Sequence, residues 1–302
     1  MSAVGSASAK LLLFGEHSAV YGFPALGIPL PWKTTVKLVR AENMQWKVAP
    51  RYLPRLNPLL SKLPEIFPEL HSLSPLEIIV HSETPIGVGF GSSGALCVAL
   101  TRAVFSQIGQ HAQAKEIWSR AHALEAYFHT NPSGIDTGIS TMEQGGYLQK
   151  KSSILPSFQP FKKKLPCLIV GAFPRSMNTS DLVSGLRQKM ETASEPMEHI
   201  EHLGEIAKLS LDQLDCPATF GELATLAHVH LKALGISIPE LDSLLEKALT
   251  LGACGGKLSG SGGGGAFYIV CENRNSAEKI IRQLEFPNLY LLLDSSFEKI
   301  RQ

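Results

Sequence analysis

Ile86-Gly-Val-Gly-Phe-Gly-Ser-Ser-Gly-Ala95 follows an extended segment, Leu76-Glu-Ile-Ile-Val80, and leads into a helix-like run, Ala95-Leu-Cys-Val-Ala-Leu-Thr-Arg-Ala-Val-Phe105. A glycine-rich turn between a strand and a helix lets backbone N–H groups converge on an anion. No side chains crowd it, and the helix N-terminus adds partial positive charge. Ser92 and Ser93 stand at the helix start, where hydroxyls cap the helix or reach a phosphate-bound cation. Such a stretch is a phosphate cradle or an ordinary turn, and the rest of the chain decides between them.

Two familiar nucleotide loops are excluded. A P-loop requires G-x-x-x-x-G-K-[ST], whereas Gly256-Lys257 is followed by Leu258. The dinucleotide fingerprint G-x-G-x-x-G fails at 87–92 because Ser92 stands where the third glycine belongs. It does match Gly260, Gly262 and Gly265, but a strand-like run, Ala266-Phe-Tyr-Ile-Val270, follows where that fold needs a helix.

The 302 residues suffice for two modest domains or one large one. An apolar content of 44% and a charged content of 18% describe a folded soluble chain. A net charge of +1 gives no electrostatic case for nucleic acid or an acidic membrane surface. Cys97, Cys167, Cys216, Cys254 and Cys271 show no C-x-x-C spacing, which argues for a reducing compartment and against structural zinc. No apolar stretch approaches the length of a membrane span, and no signal peptide is visible, so the expected location is cytoplasmic.

The first third reads as short strands, at 10–14, 34–39 and 46–48, with a proline-broken helical excursion between 50 and 75. After the glycine loop come helices near 93–108 and 113–128, the second apolar at Ile117, Ala121, Leu124 and Phe128. Lys, Ser and Pro dominate near 150–165, which places a domain boundary there: residues 1–155 form an N-terminal domain and 156–302 a C-terminal one. The second half begins with an apolar strand at 167–172. Helices near 180–193, 197–213, 219–234, 239–250 and 275–284 follow, with strands at 266–271 and 288–293. Strands mixed with helices, without regular βαβ alternation, predict an α+β fold.

Four segments gather polar groups among small residues. Lys10-Leu-Leu-Leu-Phe-Gly-Glu-His17 carries a lysine into an apolar strand and presents Glu16 and His17 on a turn. The glycine loop brings Ser92 and Ser93. Glu125, off the apolar stripe of its helix, and Asp136, after a Pro-Ser-Gly turn, are two carboxylates in separate segments. They divide naturally into a cation ligand and a group that engages a substrate hydroxyl, although a solvated helix face accounts equally well for Glu125. The run 259–265 holds four consecutive glycines, which either turn sharply or let something approach the backbone.

In order and spacing, three motifs resemble the GHMP kinase superfamily over nearly the whole chain. They are Lys10 to Ala25, Pro85 to Ser93, and Lys257-Leu-Ser-Gly-Ser-Gly-Gly-Gly-Gly265. Phe14-Gly-Glu-His-Ser-Ala-Val-Tyr-Gly22, Asn131-Pro-Ser-Gly-Ile-Asp136 and Asn178-Thr-Ser-Asp-Leu-Val183 are most similar to its mevalonate kinase family. The resemblance implies a two-domain fold with the active site in the inter-domain cleft, and ATP-dependent phosphorylation of the mevalonate C5 hydroxyl. It implies Asp136 and Lys10 as catalytic residues, and Glu16, His17 and Thr179 as substrate contacts. Gly87, Gly89, Gly91, Ser92 and Ser93 would bind ATP, the co-substrate, and Ser93 and Glu125 would hold Mg2+. Mevalonate and ATP are then the partners, with no nucleic acid or membrane, and a homodimer is an assembly the family allows. The chain departs from the family at Ser8-Ala9, where Pro-Gly is usual, at Phe90 and Gly94, and at Ser180-Asp181, where a basic residue often stands. The alternatives are a sibling kinase acting on phosphomevalonate or a sugar, and a non-catalytic sensor on the same fold. A phosphorylated acceptor should need further Lys or Arg near the cleft, and the motifs supply Lys10 alone; a sensor should have lost the lysine, the aspartate or the metal ligands.

Overall fold

The computed structural model describes residues 2–129, 132–151, 153–175, 185, 195–293 and 296–299. Its first sheet is built from β1 (Ala3–Phe14), β2 (Pro24–Arg40), β3 (Gln45–Lys47), β4 (Leu76–Ser82), β5 (Gly146–Gln149) and β6 (Ser157–Pro160). The strand order is β3-β4-β2-β5-β6, with β1 also paired antiparallel to β2. Helices α1 (Leu53–Leu60), α2 (Leu63–Ile66), α3 (Ser92–Gln107), α4 (Ala114–Glu125) and α5 (Ile135–Met142) accompany it. The second sheet runs β11-β10-β7-β9-β8, from β7 (Cys167–Phe173), β8 (Gly255–Leu258), β9 (Gly265–Cys271), β10 (Tyr290–Leu293) and β11 (Ser296–Lys299). Its helices are α6 (Glu195–Ser210), α7 (Pro217–Ala233), α8 (Pro239–Thr250) and α9 (Arg274–Leu284). The α+β class expected from the sequence is the one observed, and no described helix is long and apolar enough to cross a membrane.

Strand β1 begins at Ala3, seven residues before the expected start at Lys10. The small residues of Gly5-Ser-Ala-Ser-Ala9 have a packing cause. Helix α3 crosses so near that a Cβ at Gly5 would lie 2.1 Å from the Ala99 carbonyl oxygen and 2.4 Å from the Ala103 nitrogen. Helix α3 is correspondingly apolar around most of its girth, burying Cys97, Val98, Ala99, Leu100, Val104 and Phe105.

The far half of β1 is shared between the two sheets. Leu11, Leu13 and Phe14 belong to the same apolar core as Phe220, Phe267 and Tyr268. Phe14 meets Phe220 edge-on at 5.2 Å, and the Tyr268 hydroxyl donates to the Leu13 carbonyl at 2.7 Å. The Ser259 hydroxyl donates to the Leu12 carbonyl at 2.8 Å, and the Leu12 amide donates to the Ser259 hydroxyl oxygen at 3.2 Å. Buried main-chain groups of a strand are thus satisfied by side chains of the other sheet. This joint carries Gly15, Glu16 and His17 up to the site.

Candidate active site

Lys10 is the hub. Its amide donates to the Phe90 carbonyl at 2.9 Å, which fastens the glycine loop to β1. Its ammonium reaches Asp136 Oδ1 at 3.0 Å, with the lysine side chain 4% exposed and the aspartate 30%. Between these contacts the aliphatic stem passes under Gly91, where a Cβ would stand 2.6 Å from Lys10 Cγ. Asp136 is presented by the first turn of α5, which starts after Gly134 in the left-handed region at φ 78°. Helix α3 reaches the same place: a Cβ at Gly94 would be 3.2 Å from Asp136 Cβ. A buried cation and a partly exposed carboxylate therefore converge at the mouth of the glycine loop.

The loop is built as an anion nest. Gly87, Gly89 and Gly91 have φ of 84°, 96° and 72°, so alternate peptide planes turn their N–H groups to one side. No side chain caps α3, which leaves the amides of its first turn, beginning at Ser92 and Ser93, for a ligand. The glycine run supports this loop from the second sheet. A Cβ at Gly265 would lie 3.3 Å from the Val88 carbonyl oxygen, and one at Gly89 would lie 3.2 Å from the Ala266 nitrogen. Arg175, just beyond β7, has its guanidinium 3.0 Å from that same Cβ position of Gly89. Burial holds the Arg175 pKa down and the charge of Asp136 raises it, which places both in one electrostatic neighbourhood.

Glu125, at the end of α4, is buried rather than solvated. Burial first, and Asp136 second, push its carboxyl up to about 8; the Thr137 hydroxyl and Lys10 oppose the rise. Its Oε2 is sealed from water and has no hydrogen-bond partner. An orphaned buried carboxylate oxygen is what a cation would satisfy. Ser93 supplies a hydroxyl at the same helix start, placed 3.2 Å from His129 Nε2. Among the described residues there is no group of three His, Cys, Asp or Glu arranged for a metal. A hard divalent cation shared with a triphosphate needs no more protein than one carboxylate and one hydroxyl.

Glu16 and His17 sit at the joint between the sheets. Glu16 Oε1 accepts from Lys257 Nζ at 2.5 Å, the two side chains being 1% and 0% exposed. Burial raises the Glu16 pKa against the attraction of Lys257, and burial lowers that of Lys257 against Glu16. His17 Nε2 donates to the Ser261 carbonyl at 3.3 Å, and burial holds its pKa down to about 4, so the ring is neutral at pH 7. Thr179 lies outside the described residues, as do Asn131, Asn178, Ser180 and Asp181.

Lys10, Asp136, Glu125, Ser93 and the loop glycines are thus brought together, while the Glu16 carboxylate is engaged by Lys257 instead of standing open. Sequence reasoning passed over Lys257, Arg175 and His129, and its count of one lysine near the cleft was too low. Lys257 had a readable signal, being the sole charged residue between 251 and 265. Arg175 and His129 had none, since their place depends on chain segments far away in sequence.

The chain is similar to known proteins along most of its length. The profile of the GHMP kinases N terminal domain matches residues 59–144, and that of the GHMP kinases C terminal domain matches residues 210–288. The chain is 31% identical over 304 residues to the mevalonate kinase of Pyrococcus horikoshii, covering 90% of this chain and 89% of that one. In three dimensions it resembles the L. major mevalonate kinase solved in complex with R-mevalonate, with a TM-score of 0.80 at 20% identity, over 98% and 97% of the two chains. It resembles the Streptococcus pneumoniae phosphomevalonate kinase nearly as well, with a TM-score of 0.79 at 17% identity over 98% and 99%. The fold alone therefore does not select the acceptor.

Proposed function

The chain belongs to the GHMP kinases, and from that membership we propose that it phosphorylates the C5 hydroxyl of mevalonate with ATP, giving 5-phosphomevalonate for isoprenoid precursor synthesis. The observation that carries the chemistry is the 3.0 Å contact between Lys10 and Asp136 beside the glycine nest. The acceptor rests on the mevalonate kinases to which the sequence is similar along nine-tenths of its length.

In this reading the amides of Gly87 to Ser92 bind the triphosphate and fix the terminal phosphorus. Asp136 orients the alcohol and takes its proton as the new O–P bond forms, while the bond from that phosphorus to the bridging oxygen breaks and ADP leaves. Lys10 holds Asp136 aligned through their 3.0 Å contact, and offsets negative charge spreading over the transferred group. Mg2+ bound with the nucleotide would neutralise part of the triphosphate charge, and Ser93 and Glu125 are the residues we assign to hold it. We assign His17 and Thr179 as contacts of the acceptor. We place the reaction in the cytoplasm, in keeping with five unpaired cysteines.

Arg175 is the observation that favours a phosphorylated acceptor, because it adds a cation near the glycine loop. The decisive experiment is MgATP-dependent ADP release with mevalonate, phosphomevalonate, galactose and homoserine offered separately. Turnover with mevalonate alone is expected. Turnover with phosphomevalonate in its place would reassign Arg175 and the acceptor together.

A further inference from the structure

The Lys257–Glu16 pair is an ion pair without water, joining two motifs 241 residues apart. Lys257 also donates to its neighbouring Leu258 carbonyl at 2.7 Å and lies over the rings of Phe14 and Tyr268 at 5.6 and 5.5 Å. Stability does not account for such a pair. Removing two charges from water costs several kcal/mol, and apolar residues of similar volume often serve as well or better. The Phe14 and Tyr268 rings that flank the ammonium would accept such residues. Glu16 Oε2 is also buried without a hydrogen-bond partner, with the Glu16 and Gly260 amides partly offsetting the charge of the carboxylate. Buried charge kept at such a cost is best attested where it fixes register.

What it fixes is the turn that carries His17. That residue has φ of 59°, in the left-handed region that a histidine rarely adopts, directly after Glu16 and Gly15. A strained residue persists when its neighbours over-determine it. Here Lys257 grips Glu16 on one side of His17, and the Ser261 carbonyl accepts from the ring on the other. Both grips come from the 257–265 segment, the end of β8 and the loop after it. The same segment, through Gly265, packs on the Val88 carbonyl of the nucleotide loop. The acceptor-side turn and the phosphate loop are therefore registered against one common piece of backbone.

We propose that Lys257 is a positioning residue: through Glu16 it locks the His17 turn to the 257–265 segment, and so sets how the acceptor alcohol is held relative to the phosphate nest. The proposal rests on the reading of the acceptor given above. In catalytic terms the pair supplies alignment, and alignment is sensitive: a displacement of about 1 Å can cost on the order of a hundredfold in rate.

The test separates alignment from stability. Lys257→Met alone leaves a buried carboxylate without its counter-charge, so both melting temperature and activity should fall. The double variant Glu16→Leu, Lys257→Met replaces the pair with apolar residues and should regain the wild-type melting temperature or exceed it. If the pair positions the turn, kcat/KM for mevalonate in the double variant stays about tenfold to a hundredfold below wild type, with ADP affinity by calorimetry within about twofold. A stable double variant with wild-type kcat/KM would overturn the proposal and leave the pair a dispensable structural bridge. Equal losses in ADP affinity and in kcat/KM would overturn it too, by showing a general distortion. Wild-type protein assayed alongside keeps the two levels apart: no turnover of mevalonate by wild type overturns the acceptor reading, whatever the variants do.

Discussion

Glu125→Gln should change how the stability of the ligand-free protein responds to pH. The Glu125 carboxyl is pushed from 4.5 to about 8, by burial first and by Asp136 second. A raised carboxyl means that the folded chain keeps a proton the unfolded chain has released. Its contribution is therefore fully present below 4.5 and is lost as pH rises through about 8. The histidines act in the opposite sense at lower pH. His17, His122, His129, His228 and His230 are all held below 6.5, chiefly by burial, so their ionisation favours unfolding until pH has risen past 6.5. The window for Glu125 thus runs from about pH 6.5 to about pH 8, where ~1.4 kcal/mol per pH unit, tapering near the midpoint, amounts to roughly 1–2 kcal/mol. Urea unfolding in EDTA at the two ends of that window would read it. Wild type should lose about 1–2 kcal/mol more than Glu125→Gln across the window, because titrations that do not involve Glu125 are common to both. Equal losses in the two proteins would refute the placing of Glu125 as a buried, cation-seeking carboxylate.

Asp136→Asn should lower kcat by about a hundredfold to ten-thousandfold, the range of a lost general base, with ADP affinity by calorimetry nearly unchanged; near-normal turnover would remove Asp136 from the mechanism. Gly5→Ala should cost about 2–3 kcal/mol or more in urea unfolding, because its Cβ would meet helix backbone that has no room to move aside; an unchanged midpoint would mean that α3 does not cross β1 at this point.

The chemistry was most readable where one motif carries a whole function. The 86–95 loop shows its nest in a single run, and Lys10 and Asp136 sit in short segments whose residue types already suggest their partners. Glu125 was harder. On α4 it directly follows Leu124, one position off a stripe of Trp118, Ala121 and Leu124, so a helical wheel leaves it at the border between core and solvent. What buries it is the packing of α3 and α5, which no local pattern encodes. Lys257 failed for a different reason. Gly255-Gly256 lowers strand propensity, so β8 read as part of a glycine loop, and its lysine went unnoticed.

Those glycines are not loop residues, and the cause shows where function lies in this chain. A Cβ at Gly255 would stand 1.9 Å from the Gly221 carbonyl oxygen of α7, so the strand exists only because it lacks side chains there. Helix α5 follows the same logic: Gly138 is small because Trp118 Cζ2 lies 2.5 Å from its Cβ position. At Gly5, Gly94, Gly138 and Gly255 the missing side chain marks an element pressed against another. Gly94 brings α3 onto Asp136, Gly138 packs α5 against α4, and Gly255 sets the strand that carries Lys257. The glycine runs were read as sharp turns or as room for something to approach the backbone, whereas at these four positions the missing side chain lets the elements that carry Lys10, Asp136, Glu125 and Lys257 pack.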